Sequence, residues 1–411
     1  MARKKLKVIK SKILLNNLLV NLINHKVVAY ALRISPAVVL LLAIVVFILL
    51  SPCFFHDTHA IVKTITVPDD YNTIQSAIEN AAAGDIIYVR NGIYSEKIVV
   101  DQPVSLVGEN ERTTIIDGGG TGSAIQVFAN NVEIANLTIK NAGTSPWFGH
   151  GFPESCIDVE NIDNLTVVNN IISNGTVGIW SYSSTKATVA RNLVSNTTTM
   201  GVAYYACMNS AIDNNILQNC GIVGIHLDGN SSKCEIVNNT VTNCLEGIEI
   251  EKSSGNTLRE NSMLSNDEGL AFSDSNETSI DFCSIENNRV GVKFYQSNNE
   301  NSFSHNSFIN NVQQVAFDST SSNSADVSVN SWDNGKDGNY WSDYQTKYFN
   351  ASEIGSTGIG NTPYFIDANN IDHYPLMAPA PVSEFRTWAI PLLLAATALP
   401  IAVVRKVKKM R

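Results

Sequence analysis

The apolar positions of this chain fall into short runs of alternating character rather than the stripe of an amphipathic helix. A glycine followed by an aliphatic residue recurs as Gly178-Ile179, Gly201-Val202, Gly224-Ile225, Gly247-Ile248, Gly269-Leu270 and Gly291-Val292, at a nearly constant period. In phase with it runs Asn170, Asn192, Asn215, Asn239, Asn261 and Asn306, with Cys283 in place of the missing member. Asparagine tolerates left-handed backbone and bonds its own turn, and identical side chains stacked between layers form ladders. The series is therefore structural. A coil of this period, with three short strands, cannot bury its apolar face alone, so successive coils must stack and share one core. No coil carries an amphipathic helix or a leucine-rich consensus. The expected fold is all-β, a right-handed parallel β-helix of about ten coils from Ile86 to about Thr320.

The flanks predict further elements. Pro68-Asp69-Asp70-Tyr71 before Thr73 to Glu79 predicts an acid-capped amphipathic helix that covers the first coil. Met1 to Arg33 is basic without acids and Pro36 to Leu50 is apolar, which predicts a signal peptide or signal anchor over 1–60, with Thr58-His59-Ala60 as a cleavage site. Trp388 to Val404 is apolar and runs into Arg405, Lys406, Lys408, Lys409 and Arg411, which predicts a transmembrane helix over 387–404 and a cytoplasmic tail over 405–411. Between them lie the capped β-helix (61–330), a closing segment (331–377) and a stalk (378–386). This arrangement puts a single C-terminal anchor in the cell membrane and the β-helix outside.

Charge narrows the partners. Between Ile61 and Glu384, 37 Asp and Glu stand against 14 Lys and Arg, a net of −23. Phosphate binding needs a basic surface, so nucleic acid is disfavoured as a partner, and cations or neutral polymers fit better. Seven cysteines make no disulfide framework for a chain of this length. Cys220 and Cys244, one repeat apart, are expected to stack as a free pair.

The opening Val67-Pro68-Asp69-Asp70-Tyr71, Gly84-Asp85-Ile86-Ile87-Tyr88-Val89, Gly92-Ile93-Tyr94, Leu106-Val107-Gly108 and Thr114-Ile115-Ile116-Asp117-Gly118 resembles that of NosD-like proteins. These are pectate-lyase-like right-handed β-helices of the carbohydrate-binding and sugar-hydrolase type. Asn339-Tyr340-Trp341-Ser342-Asp343-Tyr344, Thr362-Pro363-Tyr364 and Asp372-His373-Tyr374-Pro375-Leu376 resemble the closing segment of archaeal surface members. One departure stands out: Ile354 to Asn361 replaces the Asp-rich turn that usually precedes Thr-Pro-Tyr. The resemblance implies a polysaccharide or glycan partner. NosD is named for copper-enzyme maturation, but here seven scattered His and six unclustered Met offer copper no soft-ligand motif.

Strand alternation assigns the outward face. If the aliphatic residue after each glycine points in, the residues two and four after the glycine point out: Trp180 and Tyr182, Ala203 and Tyr205, His226 and Asp228, Glu249 and Glu251, Ala271 and Ser273, Lys293 and Tyr295. Stepping back by one period adds Asp158 and Glu160. Trp180, Tyr182, Tyr205, His226, Asp228, Glu249, Glu251, Asp158 and Glu160 form the candidate ligand-binding set. From Ile125 to Ile157 the interval is longer than one coil, and the extra segment with Trp147, Phe148, His150 and Phe152 is expected to overhang this face. Three readings compete. The face binds polysaccharide; or it is catalytic, with Asp228 and Glu249 or Glu251 as acid and base, or His226 as a base aided by Lys293; or it is a solvated polar face of a structural or adhesive envelope component. No cofactor is called for beyond Ca²⁺, which the acids could hold. Trp332, Trp341 and Tyr344 are expected to close the core, and His305 to sit in a turn.

Overall fold

A computed structural model describes residues 62–145, 153–318 and 328–380. The expected signal segment, transmembrane helix and tail, most of the stalk, and Trp147, Phe148, His150 and Phe152 lie outside the described residues. Among the described residues no helix is long and apolar enough to cross a membrane. The chain winds into three parallel sheets of 11, 10 and 11 strands, each coil giving one strand to each sheet. The first sheet begins at Thr64–Val67, the second at Gly92–Tyr94 and the third at Ile98–Val100. This is the expected parallel β-helix, of about eleven coils rather than ten.

The core is built from like residues stacked in register. In the third sheet Ile157, Ile179, Val202, Ile225, Ile248, Leu270 and Val292 pair in sequence and are fully buried. Two residues further on, a second inward column ends in Phe272 and Phe294, whose rings stack at 5.4 Å, with Phe317 stacked 5.3 Å beyond.

The repeat glycines are needed for close approach, not for turns. A Cβ on Gly178, Gly201, Gly224 or Gly247 would lie no more than 2.6 Å from the carbonyl oxygen of the equivalent glycine one coil on. Glycine inside a strand marks such backbone proximity. The Gly178 Cβ would also meet Val194 Cγ1 in the core at 2.6 Å. Glycine and the following aliphatic thus both face inward, and strict alternation breaks at each glycine.

The asparagine series is a buried ladder. Asn215 Oδ1 accepts from the backbone N of Asn192 at 2.9 Å and from its Nδ2 at 3.0 Å, while Asn215 Nδ2 donates to Val189 O at 2.8 Å. The left-handed residue is not the ladder asparagine but the one before it, such as Asn169, Arg191, Asn214 and His305, with φ between 54° and 56°. His305 is therefore a turn residue, stacked 4.6 Å from Phe282. Cys220 and Cys244 are buried free thiols.

The ends differ in how they are finished. At the N-terminal end a helix over Ile74–Glu79 buries Ile74, Ala77 and Ile78. Its N-cap is Thr73, whose Oγ1 accepts from Ser76 N at 3.1 Å, rather than the expected Asp69 or Asp70. An acid does serve its first turn, but from the next coil: Glu96 accepts from Ile74 N and Gln75 N at 3.1 and 3.2 Å. At the other end Trp332 stacks on Phe303 at 4.3 Å, and Trp341 lies between Phe308 and Tyr364 at 4.2 Å from each. Here the ladders terminate: Asn339 N donates to Asp372 Oδ2 at 2.8 Å, and Asn330 N to Asn370 Oδ1 at 3.0 Å. Burial raises the Asp372 carboxyl to about 6 against bonds from Trp341, Asn339 and Tyr374. The unusual Ile354–Asn361 stretch is turned by protein bonds, Gly358 N donating to Glu353 Oε1 at 2.7 Å.

Asn215→Ala strands the buried Asn192 N–H and Val189 C=O of the preceding coil and should cost about 2 to 4 kcal/mol in denaturant unfolding. Asn219→Ala loses only an exposed 3.4 Å contact to Asn196 but places alanine at φ 55°, and should cost about 1 kcal/mol, less than the ladder variant.

Candidate functional site

The strands Ser155–Glu160, Val177–Tyr182, Met200–Tyr205, Val223–Asp228, Glu246–Glu251, Glu268–Ser273 and Val290–Tyr295 carry the face. Alternation placed its two rows correctly. Four residues after the glycine position, Glu160 pairs with Tyr182, Tyr182 with Tyr205 and Tyr205 with Asp228, all half-buried. Two residues after it, Asp158 pairs with Trp180, Trp180 with Ala203, Ala203 with His226 and His226 with Glu249. This second row is a floor: Asp158, Trp180 and His226 are only 3 to 5 % exposed.

Simple alternation missed a third row. Because each glycine faces inward, the residue before it returns to the outer face, as Val177 and Met200 do in packing with Trp180 and Ala203. In the next coils that position holds Glu246 and, one coil later, Glu268, paired with each other in register. Acids where the earlier coils carry Val177, Met200 and Val223 are the signal that could have found them.

The aromatics do not lie open as flat platforms. Tyr182 and Tyr205 stack on one another at 5.5 Å and 17°, and Trp180 lies 6.2 Å from Tyr205 at 28°. Tyr205 also covers Gly229, where a Cβ would come within 2.7 Å of the ring. The two tyrosines are thus half-buried in a stack rather than laid flat on the face.

The next coils hold the charge. His226 Nδ1 lies 2.7 Å from Glu249 Oε2 and Nε2 lies 3.9 Å from Asp228 Oδ2. Burial alone would lower the imidazole pKa, but the two carboxylates outweigh it and raise it to about 9. For Asp228, burial opposes ionisation, yet His226 and the Gly229 N–H, 2.5 Å away, hold it below the ordinary value. At neutral pH His226 is an imidazolium clamped between carboxylates, a proton donor rather than the free base a lyase step would need. Glu246, desolvated and beside Glu249 and Glu268, is pushed up to about 8, and its buried Oε2 has no hydrogen-bond partner among the described residues.

Two groups of sequence candidates lie away from this cluster. Lys293 sits 3.3 Å from Glu268 and 4.6 Å from the Tyr295 ring, not at His226. Tyr295 Oη bonds both Glu268 oxygens at 2.9 Å, and Arg289 reaches Glu268 at 3.5 Å. Asp158 and Glu160 lie across the aromatic coils from His226. Burial, then Glu160, raises Asp158 to about 6. Glu251 is paired with Lys252.

One ligand atom each from His226, Glu249 and Glu251 lie within 4.8 Å of one another, the arrangement that could hold a metal ion. One imidazole and two carboxylates form a hard donor set, short of the six to eight oxygens Ca²⁺ prefers. Copper fits worse. A cuprous ion seeks thiolate, thioether or several imidazoles, whereas the described cysteines are all buried and the thiols of Cys156, Cys234 and Cys283 are raised by burial to about 12. No step through copper is derived. The chain should therefore fail to withdraw Cu(I) from a bicinchoninate complex, as read by its absorbance, and transfer of one equivalent would overturn that assignment.

The same groups set a pH dependence. The His226 contribution to stability is complete below about pH 6.5 and is lost as pH rises through about 9. The raised Glu246 pKa makes the folded state lose stability between about 4.5 and 8 as that carboxyl is forced to ionise. Glu246→Gln should therefore raise the melting temperature at pH 8 to 9 by roughly 2–4 °C and change it little at pH 5. An equal shift at both pH values in a calorimetric series would show that Glu246 is ordinarily ionised.

A cell surface glycoprotein of Methanothermus fervidus is 26 % identical over 357 residues, covering 74 % of this chain and 56 % of its own length. The chain thus spans little more than half of that relative. The A-module of the Azotobacter vinelandii mannuronan C-5 epimerase AlgE4 superposes with a TM-score of 0.53 at 18 % identity, covering 65 % of this chain and 82 % of the module, a likeness of fold. The family described as periplasmic copper-binding protein (NosD) matches residues 128–346, more than half of the chain, and to that family the chain belongs.

Proposed function

We propose that this chain is a cell-surface β-helix protein that binds polysaccharide along the outer face of its third sheet. The observation that carries the reading is the unbroken row Glu160, Tyr182, Tyr205 and Asp228, one half-exposed hydrogen-bonding side chain per coil. Coils about 4.8 Å apart give this row a spacing close to that of successive sugars in an extended polymer. Carboxylates and tyrosine hydroxyls accept and donate to sugar hydroxyls, and the rigid sheet presents them without an ordering cost. A cell-surface location is supported by the name of the Methanothermus relative and by the basic and apolar character of both ends. In this proposal 1–60 directs export, 387–404 anchors the chain in the membrane, and the Ile74–Glu79 helix caps the first coil.

One observation favours a catalytic second reading. Glu246, at about 8, keeps a proton near neutral pH beside Glu249 and Glu268. Carboxyls driven apart in pKa are the arrangement that acid and base catalysis at a glycosidic bond employs.

Incubating the purified chain with immobilised polysaccharides, with and without Ca²⁺, tests both readings. Retention without new reducing or unsaturated ends is expected, together with at least about a tenfold loss of affinity on combining Tyr205→Ala, His226→Gln and Asp228→Asn. Products abolished by Glu246→Gln would establish the catalytic reading instead. Unchanged retention in the triple variant, its fold verified by circular dichroism, would leave a structural envelope component.

A further inference from the structure

A second concavity lies on a different side of the coil, where the first sheet hands over to the second. It arises from a change in connection length. The early coil joins Ser105–Gly108 to Thr114–Asp117 through residues 109–113, whereas the following coils use only Asn136-Leu137, Asn169-Asn170 and Arg191-Asn192. The longer connection overhangs the shorter ones. It is tied down there: Asn110 Oδ1 accepts from Arg112 N at 3.0 Å, and Thr138 Oγ1 donates to Glu111 O at 2.5 Å. Beneath it is a space of about 330 Å³ lined by Glu111, Arg112, Asn136, Asn169, Arg191 and an apolar floor.

The floor is Ile171, Leu193 and Ile216, which pair in register as the outward residues of three consecutive strands. In the next coils that position becomes Thr240, Ser262 and Ser284. The outer face of this sheet is therefore apolar over these three coils, between Thr138 at the overhang and Thr240 beyond.

Over the floor stands an uncompensated charge. Among the described arginines, Arg90, Arg112, Arg259 and Arg289 each pair with a carboxylate, and Arg191 pairs with none. Its Nε donates to Asn169 Oδ1 at 3.0 Å, which fixes the guanidinium over the concavity and leaves both Nη groups without an acceptor among the described residues. At the other rim Glu111 and Arg112 lie 3.6 Å apart and offset one another. In a segment whose net charge is −23, this is a local positive site above an apolar surface.

We propose that this concavity binds a small amphipathic anion, a carboxylate or phosphate ester on an apolar body, with its head group on Arg191 and its body on Ile171, Leu193 and Ile216. The volume lies at the small end of ligand pockets, which suits one short free molecule rather than a bilayer lipid. The planar guanidinium fork matches either head group. The site shares no residue with the third-sheet face, so either proposal can fail without the other.

The test is calorimetric titration of the full-length chain with octanoate, octyl phosphate, octanol and acetate. Octanoate or octyl phosphate should bind with measurable affinity, and octanol and acetate at least about tenfold more weakly. Arg191→Met keeps the aliphatic stem and should cost the anions about tenfold or more. Arg191→Lys should retain part of the affinity; lysine is tolerated in this backbone conformation, as Lys186 and Lys233 show at φ 53° and 54°. Equal binding of octanol, anion binding unchanged by Arg191→Met, or sedimentation with anionic vesicles without binding of monomeric octanoate would each overturn the proposal.

Discussion

The structure depends on how buried backbone N–H groups are satisfied at the corners of a stacked coil. Within the strands each coil bonds its neighbours, but at a corner the chain changes direction and the ladder of sheet bonds lapses. A buried unpaired N–H costs about as much as a lost hydrogen bond, and every coil repeats the problem. Asparagine answers it because one side chain offers an acceptor and two donors. Asn192 N and Nδ2 both reach Asn215 Oδ1, while Asn215 N and Nδ2 reach Asn239 Oδ1. Each member completes the coil before it and depends on the coil after it. Such a series cannot simply stop, and the closing segment supplies the last acceptors, Asp372 for one ladder and Asn370 for another. Trp341 Nε1 donates to the same Asp372 oxygen at 2.8 Å, so the aromatic seal and the end of the ladder share one buried group.

Once the corners are locked, register is fixed, and with it the composition of every outer row. The contact between consecutive glycines then sets which side chains share the third-sheet face. Without that break in alternation, Glu246 and Glu268 would turn inward. With it, they join Glu249 and His226 on the outside, and a face of two rows becomes one of three. A backbone packing requirement in the core thereby governs the electrostatics of the surface.

The period, the inward aliphatic column and the two outward rows were legible because they repeat, and repetition averages away the ambiguity of any single strand. The asparagine series was legible as a ladder, although its left-handed backbone was assigned one residue late, since the same residue type often fills both positions, as in Asn169-Asn170 and Asn214-Asn215. What repetition could not reveal were departures from alternation and the orientation of rings. Glu246 and Glu268 were hidden by a break in alternation that leaves no mark except the glycine itself. Tyr182, Tyr205 and Trp180 were placed on the right face, but sequence carries no information that their rings would stack on each other. The concavity under Glu111 and Arg112 depends on connection lengths differing between adjacent coils, a comparison that becomes meaningful only once register is known. The helix cap was read from its nearest acids, whereas Glu96, adjacent only after a full turn of the coil, serves the first-turn amides.

The charge on the third-sheet face is not required by register, which supports the proposal that it is used. Register is already secured by the ladders and the core columns, so ion pairs are not needed to align the coils. The aromatic coils show that the same rows can be filled by Val177, Met200, Trp180 and Ala203 packed into a small outer cluster. Continuing that pattern would have been stable. Instead the next coils set Asp228 and Glu249 against a buried imidazolium and bring Glu246, Glu251 and Glu268 in beside them, at the expense of a carboxyl that cannot readily ionise at neutral pH. Burying such groups is unfavourable unless their partners are well placed, and Glu246 Oε2 lacks one. Strongly displaced protonation equilibria gather where a protein meets its ligand. On this face they gather beside the half-buried row of Glu160, Tyr182, Tyr205 and Asp228, the row on which the proposed binding rests.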